Sequence, residues 1–116
     1  METPLLAGFW RLKASRIQSD DGRWLEEAVI GGSSALTSSG YITAFISTSE
    51  GPYGYCGSYR FDGENIFMDI QAGIVNDLNG MTVTRKVRFN DPQNLVLSGK
   101  ETHTGRPFEM HWERQP

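Results

Sequence analysis

Short runs in which apolar and polar residues alternate one for one recur along the whole chain, separated by glycine, proline, asparagine and aspartate. A period of two marks strands with one buried face, whereas an amphipathic helix would space its apolar residues by three and four. No segment carries such a helical stripe. The first run spans Gly8 to Ile17, where Trp10, Leu12 and Ala14 alternate with Arg11, Lys13 and Ser15, turning Trp10 to the core. Asp20-Asp21-Gly22 predicts a turn, Arg23 to Val29 a partly extended segment, and Gly31-Gly32 a break before Ser33 to Ser38 resumes. Ser39-Gly40 is a two-residue hairpin signal leading into Tyr41 to Thr48, a run with apolar residues on both faces. A loop over Ser49 to Gly54 precedes Tyr55 to Phe61, whose Tyr55, Gly57, Tyr59 and Phe61 share a face. Asp62-Gly63-Glu64 then turns that strand into Asn65 to Ile70.

The alternation is weakest from Gln71 to Gly80, which reads as a loop or irregular cap whose Ile74, Val75 and Leu78 serve as a lid or a dimer contact. It is cleanest from Met81 to Asn90, with Met81, Val83, Val87 and Phe89 on one face and Thr82, Thr84, Lys86 and Arg88 on the other. A proline turn, Asp91-Pro92-Gln93-Asn94, leads to Leu95 to Thr102. After Thr104-Gly105-Arg106, Pro107 to Arg114 alternates Phe108, Met110 and Trp112 against Glu109, His111 and Glu113. About eight strands joined by short turns must pair antiparallel, since parallel pairs need crossovers of roughly a dozen residues. The fold expected is all-β: an eight-stranded antiparallel up-and-down β-barrel, with a flattened sandwich as its competitor.

Composition narrows the setting. The 116 residues, 38% hydrophobic, suffice for one core and one domain over residues 1–116. Eleven basic against 14 acidic residues give a net charge of -3, so no broad positive field exists to draw a phosphate backbone, and no nucleic acid is expected as partner. No apolar run reaches the ~18 residues of a membrane helix, and Met1 to Leu6 lacks the charged and apolar regions of an export signal. Cys56 is the single cysteine. These features set the expectation of a soluble, cytoplasmic protein with no membrane partner.

Gly8-Phe9-Trp10 matches the G-x-W signature that opens the first strand of lipocalins, and Trp112-Glu113-Arg114 lies on the last strand. With Leu6-Ala7-Gly8-Phe9-Trp10-Arg11-Leu12, Asp21-Gly22-Arg23, Gly40-Tyr41-Ile42 and Tyr55-Cys56-Gly57-Ser58-Tyr59, the chain resembles the small bacterial lipocalin-like domain proteins of the calycin group over nearly its whole length. An Asp-Tyr pair, the second lipocalin motif, has no match. The resemblance implies a barrel with a central cavity, a small-molecule role, and Arg114 packed over Trp10 beside Gly8 to close the floor. It carries over no catalytic residues.

Among candidate functional residues, Arg85 stands out, because its parity places it on the apolar face of its strand. A buried guanidinium needs a partner. That partner is Glu101, in phase with Leu95 and Leu97, or else an anionic ligand; a bulge that turns Arg85 outward is the third reading. Phe45, Tyr55, Tyr59, Met68, Met110 and Trp112 fall on the expected interior, with Tyr41 and Tyr53 near strand ends, an aromatic wall with polar tips of the kind that lines apolar-ligand pockets. His103 and His111 lie at no metal-ligand spacing, no phosphate loop is present, and Cys56 has no activating neighbour, so neither metal nor cofactor is expected. Three functions follow. The first is a barrel that binds a small, mostly apolar ligand, with an anionic or carbonyl end on Arg85 and contacts from Tyr55, Tyr59, Phe45, Met68, Met110 and Glu101. The second is a cofactor-free isomerase, cyclase or dehydratase in the same cavity, with Glu101 or Asp69 as acid or base. The third is a filled barrel acting as an interaction module. A homodimer is left open as an assembly.

Overall fold

A computed structural model describes residues 5–49, 51–74, 78–102 and 104–116. Nine strands are formed: β1 (Gly8–Gln18), β2 (Trp24–Glu27), β3 (Val29–Leu36), β4 (Tyr41–Thr48), β5 (Gly51–Phe61), β6 (Asn65–Gly73), β7 (Thr82–Asp91), β8 (Asn94–Lys100) and β9 (Pro107–Gln115). Each pairs antiparallel with its neighbour, and β1 also pairs with β9, which closes the sheet into an eight-strand barrel. The ninth strand arises because β2 and β3 are two halves of one bent stave, split at Ala28. The floor half of β1, Gly8 to Arg11, pairs with β3, and its rim half, Ser15 to Gln18, pairs with β2. The break therefore falls at Ala28 and not at Gly31-Gly32, which lies inside β3, where the register toward β4 shifts between Val29 and Gly31. Strand β6 runs on to Gly73, so the irregular segment is shorter than its weak alternation suggests.

Side chains obey the period of two wherever the ladder is regular. On β4, Ile42, Ala44, Ile46 and Thr48 are buried, while Tyr41 and Phe45 are 59% and 62% exposed. This places Phe45 on the outside of the barrel, a correction to its expected place on the interior wall. It is held there by Gly54, directly across on β5: the Phe45 ring fills the space that a side chain at Gly54 would take. The alternation alone could not choose between two apolar faces; the glycine opposite Phe45 does.

At Gly57 the sheet turns a corner. The register of β5 against β6 shifts between Cys56 and Gly57, and a Cβ on Gly57 would stand 2.0 Å from the Asp69 carbonyl oxygen. Only glycine allows the two backbones to approach so closely while the barrel curls. Inward residues of every stave then meet in one core that includes Trp10, Leu12, Leu36, Ile42, Ile66, Met68, Ile70, Val83, Val87, Leu95 and Trp112. Phe89 joins the floor to the wall, 6.2 Å from Trp10 and 6.4 Å from Phe61 between ring centroids.

The floor is built on Trp10 and Arg114. The Trp10 indole N–H donates to the Leu6 carbonyl at 3.0 Å, and Arg114 lies over the indole face with its Cζ 4.3 Å from the ring centroid. Arg114 also donates to the carbonyls of Ala7 at 2.8 Å and Pro92 at 3.1 Å, and to that of Leu5. One side chain thus ties the segment entering β1 to the β7–β8 turn and to β9. Gly8 makes room for it: its φ of +143° suits glycine, and a Cβ there would stand 2.8 Å from an Arg114 terminal nitrogen.

Arg114→Met keeps an apolar cover on Trp10 but deletes the charged donors, and is expected to cost about 2–4 kcal/mol. Gly8→Ala, which strains the backbone and displaces the guanidinium, is expected to cost about 1–3 kcal/mol. In a chemical-denaturation cycle the two losses should fall well short of adding, because they act on one contact; full additivity would disprove the coupling.

Candidate functional site

The rim half of the barrel interior holds a set of polar groups, whereas in the floor half the buried Ser34 hydroxyl is satisfied by the Thr43 carbonyl at 3.0 Å. Arg85 is carried on β7 between the inward, buried Val83 and Val87, so the ladder leaves its side chain no outward course. Its aliphatic stem runs over Gly99, where a Cβ would stand 2.6 Å from Arg85 Cδ. Its guanidinium lies 5.0 Å from the ring centroid of Phe108, the cross-strand partner of Gly99. Gly99 therefore provides the slot in which Arg85 lies, and Phe108 provides the apolar surface beside it. One terminal nitrogen donates to the Thr84 carbonyl at 3.0 Å.

Among the described residues, Arg85 makes no ion pair. The carboxylate expected to meet it is occupied elsewhere: Glu101 follows β8, accepts from the Thr104 hydroxyl at 3.2 Å, and caps the turn into β9. The physical reason is where β8 stops. Strand pairing ends at Lys100, so Glu101 leaves the ladder before its parity can bring it inward against Arg85. Burial lowers the Arg85 pKa, and Tyr55 and Tyr53 oppose that shift. A guanidinium nevertheless keeps its charge at any ordinary pH.

Two tyrosines share this region. The Tyr55 hydroxyl donates to Met68 Sδ at 3.7 Å, a weak acceptor. Burial pushes its pKa up to about 12, with Arg85 pulling the other way. The Tyr53 hydroxyl has no hydrogen-bond partner among the described residues. Burial first, then the neighbouring Tyr55, Glu27 and Glu101, raise its pKa further still, against Arg85. Tyr53, which the sequence places near a strand end beside the interior aromatics, is carried onto the inner wall by its pairing with the buried Ile46.

Ser15 and Glu27 complete the set, and sequence parity points Ser15 the wrong way. A bulge in β1 between Leu12 and Ala14 inverts the alternation, so Ala14 is exposed and Ser15 is 1% exposed, facing inward. The Ser15 hydroxyl donates to the Glu27 carboxylate at 2.7 Å across the β1–β2 pair. No residue type in the run signals such a bulge.

The other candidates divide between floor and wall. Tyr59 donates its hydroxyl to the Thr37 carbonyl at 2.6 Å and so secures the β3–β4 turn. Met68 is a buried core residue, and Met110 is half-buried, paired across strands with Ser15 and Leu97. Asp69 lies on the exposed face and accepts from Thr82 at 2.6 Å. Cys56 is half-exposed and free, and His111 Nε2 meets Asn94 Oδ1 at 3.2 Å. No group of three or more metal-ligating side chains occurs among the described residues. The expectations for His103 and Val75 lie outside the described residues. Ile74 is 63% exposed, and Leu78 packs against the core.

An interior void of about 40 Å³ lies among Leu6, Trp10, Tyr55, Met68 and Trp112 at the floor, enough for about one water. The floor half is thus packed with side chains. A far wider depression, about 1040 Å³, lies open on the barrel flank and is bordered by Phe9, Arg11, Ile30, Phe45, Pro52 and Ile74.

No protein-family model and no curated protein matches the sequence. Several solved structures share the fold, two of them designed barrels. A de novo designed fluorescence-activating β-barrel aligns over 95% of this chain and 94% of its own, at a TM-score of 0.54 and 20% identity. A redesigned β-barrel aligns over 96% and 92%, at 0.54 and 18%. Identity at this level shows a shared barrel architecture and nothing finer.

The tyrosine environment gives a test by pH. A phenol whose folded pKa is raised contributes its full stability below pH 10, the ordinary value, and loses it as pH climbs toward the folded value. For Tyr55, at about 12, the loss reaches about 1.4 kcal/mol by pH 11. Urea midpoints measured from pH 9 to pH 11 should fall less steeply in Tyr55→Phe than in the wild type; parallel curves would place the Tyr55 hydroxyl in water.

Proposed function

We propose that this chain is a single-domain, lipocalin-like barrel that binds a small, mostly apolar molecule in its rim half, with an anionic or enolate-like oxygen of the ligand on Arg85. One observation carries the reading: a half-buried guanidinium on the inner wall with no carboxylate among the described residues to neutralise it. Burying an unpaired charge is costly, and a ligand oxyanion would offset that cost with charge-assisted hydrogen bonds. The Tyr53 and Tyr55 hydroxyls, one without an acceptor and one with only a thioether, supply further donors toward the same oxygen. Phe108 and Met110 supply apolar contact. The packed floor limits the ligand to the depth above Tyr55, which favours a flat molecule of one or two rings over a long chain. That the designed barrel of the same fold is described as fluorescence-activating is compatible with small-molecule binding by a barrel of this size.

A filled barrel acting as an interaction module is the second reading, and the roughly 40 Å³ void favours it. Two probes separate the readings. 8-Anilinonaphthalene-1-sulfonate, an apolar anion, should bind the wild type with enhanced fluorescence and about tenfold more weakly to Arg85→Met, a loss of about 1.4 kcal/mol. Its neutral relative N-phenyl-1-naphthylamine should bind both proteins alike. Equal affinity of the anion for both proteins would remove Arg85 from the site, and a wild type that binds neither probe would leave the filled barrel as the function.

A further inference from the structure

The closed ring leaves strand β2 with a strand partner on one side only among the described residues. Strand β2 pairs only with β1, while β4 on the other side ends at Thr48, level with Val29. Trp24 to Glu27 therefore stand above the end of β4 with one edge unpaired among the described residues. This edge carries neither proline nor lysine, and its guards are its length of four residues and the charges of Glu26 and Glu27.

The direction of its backbone groups follows from the hairpin. Ser19 N–H donates to the Arg23 carbonyl at 2.8 Å. Antiparallel pairs alternate, so the main chains of Arg23, Leu25 and Glu27 face β1 and those of Trp24 and Glu26 face away. The next residue in that phase confirms it: the Ala28 carbonyl points away from β1 and accepts from Ser49 N–H at 2.8 Å. The exposed edge thus offers two donors and two acceptors, at Trp24 and Glu26.

We propose that this edge pairs with the β2 of a second copy, antiparallel about a two-fold axis through Leu25, so that the sheet of one barrel continues into the next. In that register Trp24 lies opposite Glu26 of the other copy, and the outward-facing groups of each meet those of the other in four hydrogen bonds. No other centre does as well. An axis through Glu26 sets two like carboxylates face to face, and one through Trp24 carries the pairing into the Gly22 turn. About Leu25, Arg23 faces Glu27 of the twin, so unlike charges meet in a chain whose net charge is -3. Leu25 and Trp24, 46% and 38% exposed, gain apolar cover, and Arg16, 4.4 Å from the Trp24 ring, keeps that indole in place. The contact is self-complementary, as a two-fold interface must be, and small, so the dimer is concentration-dependent. It rests on the strand edge and not on ligand binding, although Glu27 also belongs to the polar set at the rim.

Sedimentation velocity across a concentration series, paired with amide hydrogen exchange, tests the proposal. The wild type should pass from monomer to dimer, and the Trp24 and Glu26 amides should slow at least tenfold as it does, while the Leu25 amide, already bonded to β1, changes little. Glu26→Pro removes an outward N–H without touching the β1 ladder, and Leu25→Lys brings two cations together at the axis. Both should stay monomeric with an unchanged circular-dichroism spectrum. A wild type that is monomeric throughout overturns the proposal, as does a dimer whose Trp24 and Glu26 amides are indifferent to concentration. Dimerisation of both folded variants at the wild-type concentration would move the contact to another face.

Discussion

The stacking of Arg114 on Trp10 is the contact on which the rest of the barrel depends. It lies where the chain enters β1, where β7 turns into β8, and where β9 ends, so three segments distant in sequence share one guanidinium. Burying an indole under a cation satisfies both: the ring loses water, and the charge keeps carbonyl acceptors at the strand ends. With the floor fixed, the register of β1 against β9 is fixed as well, and with it the face that each inward residue presents.

The two ends of the interior then follow different rules. Near the floor, aromatic and branched side chains pack to the density of any protein core, leaving space for about one water. Toward the rim, Arg85, Tyr53, Tyr55, Ser15 and Glu27 replace them, and their polar groups are only partly matched by one another. Such a gradient is costly to maintain in a barrel that serves only as a scaffold. On the function proposed above, this change of lining would receive a molecule apolar end first or flat beneath the rim, with its oxygen toward the cation.

Much of this architecture was legible because alternation is a local signal. The inward set on β7, β8 and β9 follows from Val83, Val87, Leu95 and Trp112 alone, and Arg85 could be placed among them by counting. Legibility ended where the ladder is irregular. The bulge after Leu12 reverses Ser15, and the early end of β8 keeps Glu101 from Arg85; both depend on hydrogen bonds to neighbouring strands that no residue type announces. On β4 the difficulty was of another kind. Ile42 and Ile46 compete with Tyr41 and Phe45 for the core, and the choice is made by Gly54 on the neighbouring strand. For Tyr53, legible in sequence only as lying near a strand end, the inward course is likewise set by its pairing with Ile46.

Closure by β1 against β9 also bears on how the chain comes to be folded. The other eight pairings join neighbours along the chain or its bent stave and can zip locally, but this one joins Phe9 to Gln115. Its loop-closure entropy must be met before it returns any stabilisation, so it belongs late in folding, after the meander has formed. Until then β1 and β9 are both open edges, and a ribosome that has not yet released β9 carries a curled sheet with no seam. Slow steps and misassembly in this protein should therefore concentrate at that seam, and the residues that speed its closure are those of the floor.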